Sequence, residues 1–145
     1  MGQAQANPVL IADDFAAFRR LLRAKLQEIG FQTVVEASDG VEAVAKAAEL
    51  QPLLVLLDLG MPNLDGLRAA TQIRSLAPES KVLFISLNND PDIVRSALSD
   101  GAAGFLCKSR INNELIPAIE AVFADKKFVC SNCPTESISL AGRGF

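Results

Sequence analysis

A length of 145 residues suggests a single domain, and a chain with 50% hydrophobic and 21% charged residues can bury an ordinary core. The net charge of −3 provides no positive surface for nucleic acid, and the absence of histidine excludes histidine catalysis and histidine metal ligands. The first eight residues lack the basic and apolar stretches of a signal peptide, and no apolar run is long enough for a membrane helix. We therefore expect a cytoplasmic protein without membrane contact.

Apolar runs and amphipathic stretches alternate along the chain. The first run, residues 9–12, predicts a buried strand, and apolar residues then recur at helical spacing up to Gly30. The same order of strand and helix repeats four more times, with Asn112 or Asn113 as the expected cap of the last helix. The predicted strands are residues 9–12, 33–35, 53–58, 82–85 and 103–107, and the helical patterns cover residues 15–29, 41–48, 67–76, 93–98 and 115–122.

This alternation predicts an α/β fold. Five consecutive aliphatic residues precede Asp58, which is typical of a strand covered by helices on both faces. Short alternating units require parallel pairing with right-handed crossovers, so we expect a five-stranded parallel sheet between two helical layers. Residues 1–7 are interpreted as an N-terminal extension, residues 8–124 as the domain, and residues 125–145, where the periodicity ends, as a tail or linker.

Charged and polar residues follow the predicted strands. Asp13 and Asp14 follow the first strand, Asp58 ends the third, Ser86 follows the fourth and Lys108 follows the fifth. Parallel strands would place all five groups at one edge of the sheet. Two carboxylates ~4 Å apart repel by about 4 kcal/mol at an effective dielectric of ~20, so the cluster requires a cation. Oxygen ligands without histidine favour Mg²⁺ or Mn²⁺.

Phosphoryl transfer is the chemistry that this group of residues permits. Asp58 could accept a phosphoryl group on a carboxylate oxygen, while the metal and Lys108 neutralise charge and Ser86 donates a hydrogen bond. Each residue alone has a simpler explanation, since such an aspartate often caps a helix, a serine often lies in a turn and a lysine is usually solvated. The joint pattern at successive strand ends favours the functional interpretation.

The motifs resemble the receiver domain of two-component response regulators over about residues 8–123. The resemblance depends on the acid pair, Met61-Pro62 and Asp65-Gly66 after Asp58, Ser86, and Gly104-Phe105-Leu106 before Lys108. It implies a flavodoxin-like (βα)5 doubly wound sheet with strand order 2-1-3-4-5. It also implies roles by position: phosphoacceptor Asp58; metal ligands Asp13, Asp14, Asp58 and the carbonyl of Gly60; catalytic and switch hydroxyl Ser86; switch aromatic Phe105; and catalytic lysine Lys108.

Two departures refine the resemblance. Leu87 stands where a small residue is common and is expected to narrow access to the phosphoryl group, while Ser109 replaces the usual proline after the lysine. The chain therefore looks most like receivers of LuxR-type helix-turn-helix transcription regulators. We expect a sensor histidine kinase as partner. The face made by the fourth helix, fifth strand and fifth helix is expected to form a homodimer or to bind an output domain. Too few residues follow Phe128 for an output domain, through which alone DNA would be bound, so we expect a receiver fragment or a single-domain protein.

Two other function classes and the cysteines remain open. A pseudo-receiver would keep the fold and signal without phosphate. A phosphohydrolase of the haloacid-dehalogenase kind would carry a second Asp where Gly60 stands, so we expect no enzyme beyond self-phosphorylation and slow dephosphorylation. Cys107 is expected to be a buried hydrophobe, and Cys130 with Cys133 a solvated pair in preference to a redox or half-zinc motif. The sequence does not identify the kinase, the stimulus, the target genes or the oligomeric state.

Overall fold

The structure, a computed structural model, describes residues 7–130. Its strands are β1 (Val9–Ala12), β2 (Val34–Ala37), β3 (Leu54–Asp58), β4 (Lys81–Ser86), β5 (Gly104–Cys107) and β6 (Phe128–Val129). Its helices are α1 (Ala16–Glu28), α2 (Gly40–Leu50), α3 (Gly66–Leu76), α4 (Pro91–Ser99) and α5 (Ile111–Phe123). The five predicted strands and the five predicted helices are confirmed, with bounds shifted by a few residues. None of the described helices is long and apolar enough to cross a membrane.

The strands form one sheet in the order β2-β1-β3-β4-β5-β6, and β1–β2, β1–β3, β4–β5 and β5–β6 are parallel pairs. The order of the first five strands confirms the flavodoxin-like doubly wound fold. The sixth strand corrects the prediction of five strands, and it lies within residues 125–145, which the sequence pattern predicts to be a tail or linker. A strand of two residues is too short to leave a periodic signal in the sequence.

The fold packs as two compact units, one through Val82 and one from Leu83. In the first unit β1 lies between β2 and β3, with Leu10 opposite both Val35 and Val55. Every residue of β1 and β3 is buried, as their continuous apolar runs predict.

Two helices of the first unit pack differently at their amino ends. Phe15, predicted on the inner face of α1, precedes its first residue Ala16 and is 63% exposed. The carboxylate of Asp39 caps α2 by accepting from the Glu42 N–H at 2.7 Å. The Glu42 carboxylate in turn accepts from the Ser38 N–H at 2.7 Å. This reciprocal pair fixes the start of α2.

In the second unit β5 lies between β4 and β6, with Gly104 opposite both Leu83 and Phe128. A 3₁₀ turn, Lys108–Arg110, continues directly into α5. The prediction that Asn112 or Asn113 caps α5 is therefore wrong, because the chain is already helical before both residues and Arg110 holds the cap position.

The structure also decides where two of the cysteines lie. Cys107 is buried, as predicted. Cys130 follows β6 and is only 1% exposed, so the expectation of a solvated pair is wrong for Cys130. Pairing of β6 with β5 carries Cys130 into the core, because its N–H donates to the Phe105 carbonyl at 3.0 Å. Cys133 lies outside the described residues.

Candidate metal and phosphoryl site

Three carboxylates meet at one edge of the first unit. Asp13 and Asp14 follow β1 and Asp58 ends β3, and because these strands are parallel neighbours with Ala12 opposite Leu57, their ends coincide. One oxygen from each carboxylate lies within 4.8 Å of the others. Asp13 and Asp58 are buried, and Asp14 is exposed to solvent.

The donor set fits a hard divalent cation. All three groups offer carboxylate oxygens, and the half-buried setting raises their mutual repulsion above its value in water. Mg²⁺ and Mn²⁺ prefer oxygen ligands and keep some water, for which the exposed side at Asp14 leaves room. This is an acidic cluster that could bind a metal, as the sequence predicts.

Asp13 is held by the first turn of α1. Its Oδ1 accepts from the Phe15 N–H at 2.8 Å, and its carbonyl accepts from Arg19 Nη1 at 2.7 Å. Arg19 Nε and Arg23 Nε donate to the Glu36 carboxylate at 2.8 and 2.7 Å. Burial raises the pKa of Glu36, but hydrogen bonds and charges from Arg23 and Arg19 outweigh it, so the pKa lies below the ordinary value. The sequence does not predict these contacts, because Arg19, Arg23 and Glu36 are separate charged residues that form no recognisable motif.

The loop after β3 approaches the backbone of Asp58 closely. The Gly60 N–H lies 3.4 Å from Asp58 Oδ1, and the Gly66 N–H donates to the Leu59 carbonyl at 2.9 Å. A Cβ on Gly66 would overlap the Asp58 carbonyl and come within 2.7 Å of Leu59 Cα, whereas a Cβ on Gly60 would meet no described atom within 4 Å. Gly66 therefore lets α3 begin directly against the phosphoacceptor candidate, a role that the Asp65-Gly66 motif signalled but did not explain.

A second anchor holds the other side of this loop. Asn63 adopts a positive φ of 68° and donates through Nδ2 to Asp39 Oδ2 at 2.8 Å. Hydrogen bonds from the Glu42 backbone and from Asn63 hold the pKa of Asp39 below its ordinary value. Asp39 therefore fixes both α2 and the loop that carries Gly60.

Within the second unit, Ser86 is the last residue of β4, and Lys108 directly follows β5. Ser86 ends β4, is 5% exposed and accepts through Oγ from the Asn88 N–H at 3.0 Å. Ser86 stands opposite Cys107, the residue before Lys108, so Ser86 and Lys108 lie at neighbouring strand ends. Leu87 is 83% exposed, and narrowing of access by its side chain stays a prediction.

Phe105, the switch aromatic that the resemblance implies, is fully buried and stands opposite the equally buried Phe84. A core of this kind follows from the apolar run of β5, in which all four residues are buried. The switch role of Phe105 stays a prediction.

Comparison with known proteins agrees with this architecture. The sequence model of the response regulator receiver domain family matches residues 9–120 of this chain. The transcription regulator of virulence factors BvgA from Bordetella pertussis is 35% identical over 130 residues, which are 90% of this chain and 62% of BvgA. The chain thus spans less than two thirds of the length of that relative.

Two solved structures are similar to the fold. A LuxR-family two-component response regulator from Aurantimonas has a TM-score of 0.79 and 27% identity, with 94% of this chain and 97% of that chain covered. A chain of the CheX–CheY–BeF3–Mg²⁺ complex from Borrelia burgdorferi has a TM-score of 0.77 and 28% identity, with 81% and 89% covered.

Proposed function

Because this chain belongs to the family of response regulator receiver domains of two-component systems, we propose that it is a phosphorylation-dependent signalling switch. Asp58 accepts a phosphoryl group from a partner sensor histidine kinase. The observation that carries the proposal is the meeting of three carboxylates, two of them buried, with oxygens within 4.8 Å of one another at the ends of β1 and β3. Self-phosphorylation and slow dephosphorylation are the extent of its catalysis.

The metal in this proposal is Mg²⁺ or Mn²⁺, held by the carboxylates of Asp13, Asp14 and Asp58 and by the carbonyl of Gly60. When bound, the ion neutralises charge on the phosphoryl oxygens. The oxygen donor set supports this assignment, and the similar Borrelia complex carries Mg²⁺ and BeF3 in its name. The Phe15 N–H holds the Asp13 carboxylate, and Arg19 holds the backbone carbonyl of the same residue.

The side chains of the protein divide the remaining work. A carboxylate oxygen of Asp58 forms the new bond to phosphorus, the bond from phosphorus to the donor histidine nitrogen breaks, and the electron pair stays on the departing imidazole. Ser86 Oγ already accepts from the Asn88 N–H, so its own proton is available to a phosphoryl oxygen. The ammonium of Lys108 supplies a compensating positive charge. Phosphorylation adds about −1.5 to −2 charges at Asp58. The Ser86 hydroxyl and the Lys108 ammonium move toward this added charge.

The output in this proposal is transcription regulation from the cytoplasm. Residues 8–124 act as the receiver, and the face formed by α4, β5 and α5 changes to control a homodimer or an output domain, through which DNA would be reached. The similarity to the transcription regulator BvgA and to a LuxR-family regulator supports this direction. Residues 125–145 would connect the receiver to such a partner.

The test is intact-mass analysis after incubation with acetyl phosphate and Mg²⁺. The wild-type chain is expected to gain one phosphoryl group, and Asp58→Asn to gain none. Asp125→Asn is the matched control, because Asp125 is exposed and asparagine tolerates its positive φ of 59°. A phosphoryl group on Ser86, or one that persists in Asp58→Asn, would contradict the mechanism. A wild type that binds Mg²⁺ but gains no phosphoryl group would favour the phosphate-independent pseudo-receiver.

A further inference from the structure

A buried pair of sulfur atoms lies beside Lys108. Cys107, the last residue of β5, keeps its thiol, whereas Cys130 is disulfide-bonded. Their Sγ atoms are 2.9 Å apart, and the two residues are 2% and 1% exposed. A disulfide bond measures about 2.05 Å, so the two sulfur atoms are in close contact without being joined.

We infer that Cys107 and Cys130 form a thiol–disulfide exchange site. Thiolates attack disulfide sulfur atoms directly, and the 2.9 Å contact already brings nucleophile and target together. The Cys107 sulfur bonds to Cys130 Sγ, the existing bond at Cys130 breaks, and the sulfur that leaves takes up the proton that the Cys107 thiol lost. Electrons balance without an external oxidant. From the fully reduced chain, oxidised glutathione forms the same bond and departs as two molecules of reduced glutathione.

The surroundings restrict the reaction to this pair. Burial, followed by the nearby Glu114 carboxylate, holds the pKa of the Cys107 thiol above its ordinary value, so its thiolate is a minor species. A buried thiol is also poorly accessible to large reagents. Exchange within the pair is therefore slow, but it is favoured over reaction of Cys107 with a bulky disulfide from solution.

The bond would act on residues 126–130, here called the strap. The Phe128 N–H donates to the Ala103 carbonyl at 3.2 Å, and the Cys130 N–H donates to the Phe105 carbonyl at 3.0 Å. Lys127 Nζ donates to the Leu98 carbonyl at 3.0 Å. The Lys126 N–H donates in addition to the Ala121 carbonyl at 2.9 Å. An attachment that depends on a few hydrogen bonds at the end of the sheet is expected to open more readily than the central strands. A covalent bond to Cys107 would hold the strap on the edge of β5.

The position of Cys107 beside Ser86 and Lys108 connects the exchange reaction to the proposed signalling face. Cys107 stands opposite Ser86 and directly before Lys108, and the strap covers the β5 edge of the proposed signalling face. With the Cys107–Cys130 bond formed, this edge is closed to a partner strand or a second copy. This consequence depends on the proposed function, whereas the exchange chemistry does not.

The first experiment maps disulfides in the full chain. Reduced protein is equilibrated with a glutathione redox buffer, quenched with acid, alkylated, digested and analysed by mass spectrometry. At equilibrium, Cys133→Ser, which retains only Cys107 and Cys130, is expected to form their bond at a ratio of oxidised to reduced glutathione at least about tenfold lower than Cys130→Ser needs to join Cys107 to Cys133. Equal ratios in the two variants, or two intact thiols in oxidised Cys133→Ser, would overturn the inference. Thermal unfolding checks that both variants are folded.

The second experiment measures the strap by amide hydrogen exchange. In Cys133→Ser, exchange at the Phe128 and Cys130 amides is expected to slow on the order of tenfold once the bond has formed. Reduction should restore the faster rate, which serves as the internal control. Unchanged exchange would remove the link between the thiol pair and the strap. Disulfide mapping and amide exchange can also be measured in the Asp58→Asn chain, which cannot be phosphorylated at Asp58. A failure of the proposed phosphorylation is therefore distinguishable from a failure of the exchange site.

Discussion

The acidic cluster at the ends of β1 and β3 and the sulfur pair at the ends of β5 and β6 both place buried reactive groups at strand ends, yet they arise differently. Asp13 and Asp58 lie next to long apolar runs whose burial pattern defines both the strands and their ends. Cys130 follows a strand of only two residues, positioned by a few backbone hydrogen bonds. The position of the acidic cluster is therefore set by the core of the sheet, and the position of the sulfur pair by the edge of the sheet. We expect local unfolding to separate the two sulfur atoms more readily than it separates the carboxylates.

The largest expected effect is loss of metal binding from the cluster. Replacing Asp13 and Asp14 together by asparagine removes two of three charged ligands, so Mg²⁺ affinity should fall at least about tenfold by calorimetric titration. The same change relieves carboxylate repulsion and should raise the melting temperature in EDTA. Asp125→Asn should leave the Mg²⁺ affinity unchanged. Asp39 is unsuitable as a control because it holds α2 and Asn63. Unchanged Mg²⁺ affinity in the double variant would contradict the cluster as the metal site.

A second prediction tests how rigidly the core holds the cluster. Gly66→Ala places a Cβ against the Asp58 carbonyl and 2.7 Å from Leu59 Cα, so α3 must shift. We expect a loss of about 2 kcal/mol in the free energy of unfolding, measured with urea. Gly60→Ala has open space at its Cβ and should change stability by less than ~0.5 kcal/mol. Equal effects at the two glycines would show that the close approach at Gly66 does not matter.

A third prediction concerns acid sensitivity near the cluster. The pKa of Glu36 is lower in the folded chain than its ordinary 4.5, so its ion pairs stabilise the fold above pH 4.5. This contribution is lost as the pH falls through the folded-state pKa. Glu36→Gln should lower the free energy of unfolding by about 1 kcal/mol at neutral pH. It should also abolish the part of the pH dependence of this free energy that Glu36 contributes. The exposed Glu79→Gln is the control in urea titrations across pH. A parallel pH profile for wild type and Glu36→Gln would rule out this role.

The smallest expected effect lies in the strap. Lys127→Ala removes the bond from Nζ to the Leu98 carbonyl and should speed amide exchange at Phe128 and Cys130 a few-fold, equivalent to ~0.5 kcal/mol. The neighbouring exposed residue provides the matched variant Lys126→Ala, which should leave these rates unchanged. If Lys126→Ala and Lys127→Ala change the exchange rates equally, the effect comes from the loss of a positive charge and not from the contact of Lys127 with the Leu98 carbonyl.

Much of the fold and most of the acidic cluster could be predicted because strand ends are marked locally. A buried parallel strand reads as an unbroken apolar run, and its end is visible where Asp58 interrupts that run. Register then follows from parallel pairing, so the sequence predicts that Asp13 and Asp58 meet at one edge of the sheet. The cap of α5 was missed because the residues from Lys108 onward were not recognised as helical.

The sequence by itself determined the alternation of strands and helices, the five-strand order implied by the receiver resemblance, and the residues at each strand end. Only the tertiary structure revealed the contact of Gly66 with Asp58, the support of Asp13 by Arg19, and the meeting of Cys107 with Cys130. Periodic patterns report on a residue and its near neighbours along the chain. The edge of β5 carries backbone groups that need partners, and residues 128–130 supply them through contacts that no local pattern encodes.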